Sequence, residues 1–295
     1  MNHRLLFVLS LAAIYLVWGS AYLVTHVAMQ AFPPLLLSGL RNMVAGCILF
    51  AVLLWRGARL PTRAECRGAA IVGTLLCASN GMISIGMLSV NTGIAAVMVA
   101  TVPLFSSLIT AANGTPVRRM EWVAIVIGLA GIALLNRQHG LDVFNAGNVA
   151  ILLGALSWAW GSHLSVRVTS HPNLLMATAL QIMLGGAVML AGAWLTGARM
   201  GLDIHPGPWL AFAYLCLGAS LLTSCAYMYL VRHVSPALAV SYAYVNPVVA
   251  LLLGMLVLNE DVSAQTVTAM AMILASVAVV FWVNRRRAPI GGQEQ

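Results

Sequence analysis

The sequence predicts an all-α integral membrane protein of ten transmembrane helices, built as a 5+5 repeat of inverted topology. Three observations predict it. Of 295 residues, 61% are hydrophobic and 7% charged, too few charges to build a water-facing shell. The cations fall in short gaps between long apolar runs. Landmarks of the first half also return in the second at a nearly constant offset.

A helix that crosses a bilayer needs ~20 apolar residues, because each rises ~1.5 Å through a ~30 Å core. The chain offers ten such runs: Leu5–Met29, Pro34–Trp55, Gly68–Met87, Thr92–Ala112, Glu121–Asn136, Gly147–Val168, Leu174–Thr196, Pro208–Val231, Pro236–Leu258 and Ala264–Asn284. Helix breakers separate them, as in Phe32-Pro33-Pro34, Asn113-Gly114-Thr115-Pro116 and His205-Pro206-Gly207-Pro208. The first run follows Arg4 as a leader peptide would. It is too long for one and ends on no cleavage signal, so it reads as the first membrane helix.

The net charge of +8 comes from cations that are all arginine. A nucleic-acid binder gathers such residues on one folded face, whereas here they punctuate apolar segments. The N-terminus, the even-numbered gaps and the tail hold Arg4, Arg56, Arg59, Arg63, Arg67, Arg118, Arg119, Arg167, Arg232, Arg285, Arg286 and Arg287. The odd-numbered gaps hold Arg137 and Arg199, with Asp142, Asp203, Glu260 and Asp261. This asymmetry predicts a multi-pass protein of an inner, plasma membrane with both termini in the cytoplasm. The five cysteines, Cys47, Cys66, Cys77, Cys216 and Cys225, have no metal or redox spacing and read as small core residues. No cofactor and no metal are expected.

Trp18-Gly19-Ser20 recurs as Trp160-Gly161-Ser162, and Thr101-Val102-Pro103-Leu104 recurs as Val245-Asn246-Pro247-Val248. The offsets are 142 and 144 residues, which divides the chain into five-helix halves at 5–136 and 147–284, followed by a basic cytoplasmic tail, 285–295. Five crossings are an odd number, so the second half starts on the opposite side from the first. Inverted repeats of this kind place a transported solute near the midplane, where the halves meet.

These residues carry a family resemblance. Trp18-Gly19-Ser20, Arg41, Thr92 to Pro103 (TGIAAVMVATVP), Gly128 to Gly131 (GLAG), Ser157 to Ser162 (SWAWGS) and Ser235 to Pro247 (SPALAVSYAYVNP) resemble the EamA branch of the drug/metabolite transporter superfamily. The resemblance covers nearly the whole chain. It implies ten helices in a 5+5 inverted repeat and export of amino acids or other small metabolites; it does not imply one cargo. The acidic residue that the family carries after its fourth helix is shifted here to Glu121.

Arg41 lies about two turns inside the second run, where an arginine costs at least ~2.5 kcal/mol to insert, so it must face the bundle interior and find a partner. No run carries a deep Asp or Glu. Two readings stand, a clamp between helices and a contact to the anionic part of a solute. Gln181 falls near the repeat-related position and reads as the neutral counterpart of Arg41. His26 and His163 are the intramembrane groups able to relay protons, and a lone histidine is more often a hydrogen-bonded core residue, which favours facilitated transport.

Pro103 and Pro247 remove helical amide donors to Val99 and Ala243 at matching points of the halves, and read as paired hinges. Gly128 and Gly131 read as close-packing positions. Polar stripes at helical spacing give Tyr15, Trp18, Tyr22 and His26 on helix one, Asn80 and Ser84 on helix three, Ser220, Ser224 and Tyr227 on helix eight, and Tyr242 and Asn246 on helix nine. Packing and cavity lining both account for the glycines and serines of the repeated tripeptide; cavity lining is the expectation for Trp18 and Trp160. The candidate substrate-binding residues are thus Trp18, Tyr22, Arg41, Asn80, Ser84, Trp160, Tyr227, Tyr242 and Asn246.

The predicted partners are a small-molecule substrate and the lipid bilayer, with no nucleic acid; the oligomeric state stays open, a monomer included. The expected function is an exporter or facilitator of amino acids or related metabolites by alternating access around a central cavity, and the alternative is efflux of drugs or cationic compounds. A membrane-embedded hydrolase using His163 or His26 is disfavoured, since no GxSxG, HExxH or aspartate pair accompanies them. A passive sensor or assembly subunit leaves the prolines and polar stripes without a purpose.

Overall fold

The computed structural model describes residues 3–114, 118–137, 145–201, 205–233 and 241–285, and every regular element among them is helical. α1 runs as His3–Ala12, a π-helical stretch Ala13–Val17, and Trp18–Ala28. α2 is Pro34–Trp55 and α3 is Arg63–Gly86. α4 has two parts, Thr92–Val99 and Val102–Ala112, and α5 is Arg119–Arg137. α6 is Ala146–Ser165 and α7 is Leu174–Leu195. α8 runs as Pro206–Ala213, a π-helical stretch Tyr214–Leu222, and Thr223–His233. α9 is Tyr242–Leu258 and α10 is Ala264–Arg285.

Among the described residues, seven stretches are long and apolar enough to cross a membrane: Arg4–Ala28, Pro34–Trp55, Arg63–Gly86, Thr92–Ala112, Leu174–Leu195, Pro206–Leu230 and Ala264–Val283. α9 is apolar but shorter. The predicted Pro236 start of the ninth run falls partly outside the described residues, as do Thr115, Pro116, Asp142, Asp203, Arg286, Arg287 and most of the basic tail.

Local chemistry sets the helix ends. α3 starts five residues before the predicted Gly68 because Thr62 and Glu65 form a reciprocal cap: Glu65 N–H donates to Thr62 Oγ1 (3.3 Å) and Thr62 N–H to Glu65 Oε2 (2.8 Å). Arg59 pairs with the same carboxylate. Thr62→Ala should lower unfolding stability by about 1 kcal/mol in a thermal melt in detergent, with no change in helix content; an unchanged midpoint would contradict that role. Asn145 and Asn173 cap α6 and α7, and Pro34 and Pro206 open α2 and α8.

α2, α3 and α7 form one packed group, α3 also lies against α6, and α10 pairs with α5. α1 lies against α8 and α9, and α4 against α9 and α6. Between helices in lipid, close approach needs small residues. A Cβ on Gly73 would sit 1.9 Å from the Gln181 carbonyl, and one on Gly185 2.1 Å from the Gly73 carbonyl, so α3 and α7 touch backbone to backbone. Gly128 and Gly131 give α5 the same closeness to α10, beside Ser276 and Ile273.

The two prolines differ in what they do. α4 is interrupted at Ala100 and Thr101, just before Pro103, and Thr101 Oγ1 donates to the Met98 carbonyl (2.6 Å). Pro247 lies inside a helix that continues past it. The π-helical stretches in α1 and α8 had no sequence expectation.

Candidate functional site

α1, α8 and α9 meet at a cluster of rings. Trp18 packs edge-on to Tyr242 (centroids 4.8 Å apart) and tilted to Tyr227 (5.7 Å), and Tyr227 stands edge-on to Tyr242 (6.0 Å). Such pairs contribute about 0.5–1.5 kcal/mol beyond the area they bury. Tyr22, one turn after Trp18, is within electrostatic reach of Tyr242, and Asn246 lies one turn after Tyr242 on the same face of α9. Asn246 is buried with its Oδ1 unpartnered among the described residues. At the edge of the cluster, the Tyr15 hydroxyl and Ser241 Oγ are 2.6 Å apart.

A helical irregularity holds Trp18 in place. In the π-helical stretch of α8 the Thr223 N–H binds the Gly218 carbonyl, not the Ala219 carbonyl that α-helical spacing would give it. The Trp18 indole N–H donates to Ala219 instead (3.0 Å), and so does Thr223 Oγ1 (2.6 Å). Ser20 Oγ meets the Tyr214 hydroxyl at 2.7 Å. Gly19 faces Val249, where a Cβ would come within 2.7 Å of that side chain. The first Trp-Gly-Ser thus serves two neighbours: its ring and hydroxyl bind α8, and its glycine admits α9.

The other side of the same π-helical stretch meets α2. Ser220 Oγ donates to Asn42 Oδ1 (3.2 Å), and Asn42 Nδ2 donates to the Ser38 carbonyl (2.9 Å). Arg41 is 9% exposed, its Nε has no hydrogen-bond partner among the described residues, and the thiols of Cys77 and Cys216 lie within its electrostatic reach. Gln181, read as the repeat-related counterpart of Arg41, contributes its backbone carbonyl to the α3–α7 contact at Gly73.

Of the predicted site residues, the structure brings together Trp18, Tyr22, Tyr227, Tyr242 and Asn246, with Arg41 across the π-helical stretch. Asn80 Nδ2 binds the Leu76 carbonyl (3.2 Å) and Ser84 Oγ the Asn80 carbonyl (2.8 Å), each within its own helix. Trp160 is 44% exposed, against a predicted place in the cavity lining. The reason is its neighbour: Gly161 packs on Leu75 and Leu76 of α3, a rotation of α6 that turns Trp160 to the surface. Sequence reasoning missed Glu260, which accepts hydrogen bonds from Thr92 and Gly93 of the opposite half. The available signal was an Asn-Glu pair directly after an apolar run and an Asn-Thr-Gly directly before one.

The EamA-like transporter family matches this chain twice, over residues 5–137 and 145–282. This chain belongs to the EamA-like transporter family. It is a membrane transporter of the drug/metabolite transporter superfamily, and its apolar helices and inner-membrane relatives make it a multi-pass protein of the inner membrane. It is 42% identical over 273 residues to the uncharacterized inner membrane transporter YedA of Escherichia coli K12, covering 92% of this chain and 89% of that one. It is 28% identical over 272 residues to Protein PecM of Dickeya dadantii, covering 90% and 88%. A solved crystal structure shares the fold at a TM-score of 0.64 and 21% identity, covering 98% of this chain and all of the other.

Proposed function

We propose that this EamA member is an exporter or facilitator of small carboxylate-bearing metabolites, amino acids foremost, working by alternating access between two inverted five-helix halves. The observation that carries the cargo class is Arg41: a guanidinium deep in α2, across the π-helical stretch of α8 from the ring cluster, whose Nε lacks a hydrogen-bond partner among the described residues. A buried cation of this kind is stabilised by a carboxylate. The rings of Trp18, Tyr22, Tyr227 and Tyr242 then suit an apolar or aromatic moiety, and Asn246 Oδ1 an ammonium or amide donor.

Two observations support the inverted-repeat reading with ten crossings. The family matches twice in tandem, and the main helix contacts map onto one another when five is added to each number. The contact of α3 with α6 answers that of α8 with α1; α4 with α6 answers α9 with α1; α2–α7, α4–α9 and α5–α10 map onto themselves. With five crossings in each half, such a symmetry would invert the second half and leave both termini on one side, and the arginine asymmetry supports the cytoplasmic side.

The aromatic cluster also gives the alternative, an organic cation held over ring faces, a specific physical basis. Counterflow in liposomes loaded with a panel of amino acids, carboxylates, purines, sugars and cationic amphiphiles tests the choice. Exchange of carboxylate-bearing solutes is the expected result, and exchange confined to cations would overturn the reading.

A further inference from the structure

One contact between the halves lies apart from the aromatic site. α9 ends at Leu258, and Asn259 then adopts a left-handed conformation (φ 53°) that lets the Glu260 N–H return to the Gly254 carbonyl (3.1 Å). This turn carries the Glu260 carboxylate across to α4. Oε1 accepts from Thr92 N–H (2.7 Å) and Thr92 Oγ1 (2.8 Å), and Oε2 accepts from Gly93 N–H (3.1 Å). The seat is closely fitted: a Cβ on Gly254 would lie 2.3 Å from Glu260 Oε2, and one on Gly93 2.7 Å from Leu251 Cδ1.

Helices are ordinarily capped by a neighbour in sequence. Asn91, at the N-cap of α4, makes no side-chain cap bond; a carboxylate 168 residues beyond Thr92 does its work. The first amides of a helix have no intrahelical acceptor, and the positive end of its dipole favours a carboxylate. At this end two further bonds join the halves: Gly201 N–H to the Ala31 carbonyl (2.9 Å), and Gln265 Nε2 to the Leu134 carbonyl (2.5 Å). Each joins residues at helix ends that inverted topology places on this same side.

We infer that Glu260 is the latch of this end of the carrier: it holds the two halves together here while the opposite end is open, and it leaves the α4 N-terminus once in each transport cycle. The argument rests on the alternating-access reading above, in which the halves part at each end in turn; with both termini cytoplasmic, the latched end is the outer one. A charge-assisted cap bridging the halves cannot survive their parting, so its strength sets how the two states are populated.

Distances between spin labels at Leu88→Cys and Asp261→Cys test this, in nanodiscs and in a chain whose five native cysteines are alanine. Two separations are expected, the shorter one dominant. Glu260→Ala should lower the ratio of short to long at least threefold, and Glu260→Gln, which keeps the size and loses the charge, by a smaller factor. Should Glu260→Ala fail to accumulate, Glu260→Gln carries the measurement. Unchanged separations in the variant would overturn the latch. In the same background, Thr92→Cys with Glu260→Cys, joined by a short bifunctional thiol reagent, should lose counterflow and regain it on reduction; undiminished exchange in the joined protein would also overturn it. If no protein in the set, wild type included, exchanges any solute while the separations still respond to Glu260, the carrier reading falls and the latch stands.

Discussion

Arg41→Ala should lower counterflow of a carboxylate-bearing solute about ten- to a hundredfold, because hydrogen bonds to a charged group contribute about 1.5–3 kcal/mol and each ~1.4 kcal/mol is a factor of ten. The same substitution should leave the yield of monodisperse protein intact or raise it, since it removes a cation that costs at least ~2.5 kcal/mol to place within the bilayer. Arg41→Lys should retain part of the exchange, keeping the charge and losing the planar fork. A clamp between helices predicts a different pattern: lower yield, a lower melting point and equal loss for neutral and anionic solutes. A well-folded Arg41→Ala protein with unchanged exchange would remove Arg41 from the site.

Trp18→Ala should raise the half-saturating solute concentration about tenfold or more. It removes a ring face on which a solute would pack, a contact that contributes up to about 1.5 kcal/mol, together with the support that Trp18 gives Tyr227 and Tyr242, and it takes the indole donor from the Ala219 carbonyl. Thr223 Oγ1 remains on that carbonyl, so the π-helical stretch keeps one partner and the helix should persist. Trp18→Phe separates the effects by keeping a ring and losing the N–H. If Trp18→Ala lowers the yield more than the affinity, the residue is a packing element and the rings are not a binding surface.

The helices were legible in the sequence because lipid demands long apolar runs and leaves no other regular solution than internal hydrogen bonding. Boundaries were less so: α3 gained its first turn from the Thr62–Glu65 cap, a polar signal outside the apolar run. Helical spacing put Trp18 with Tyr22, and Tyr242 with Asn246, on one face of each helix, and the packing of α1 on α9, which spacing does not give, brings the two faces near each other. Trp160 shows where repetition misleads. The same tripeptide packs its glycine on α9 in one half and on α3 in the other, and the ring follows the rotation of its helix.

The π-helical stretches left no sequence mark, because a shift in hydrogen-bond register needs no special residue. Pro103 and Pro247 occupy matching positions, yet only the first stands beside a break, at Ala100 and Thr101. Asn80 and Ser84 share a face as their spacing predicted, but each hydroxyl or amide returns to its own helix, as short polar side chains commonly do. Glu260 was read for its charge and side of the membrane, and its role as a cap depended on a fold in which two helix ends 168 residues apart are neighbours.

Two five-crossing halves, entered from the cytoplasm, fix the face on which each loop and terminus lies. Single cysteines at Asn2, Gln293, Leu88 and Asp261, probed in intact cells with a membrane-impermeant maleimide, measure it directly. Leu88→Cys and Asp261→Cys should react from outside, and Asn2→Cys and Gln293→Cys only after the membrane is opened. Labelling of the two termini from opposite faces would contradict the inverted architecture, and with it the shared site between α1, α8 and α9.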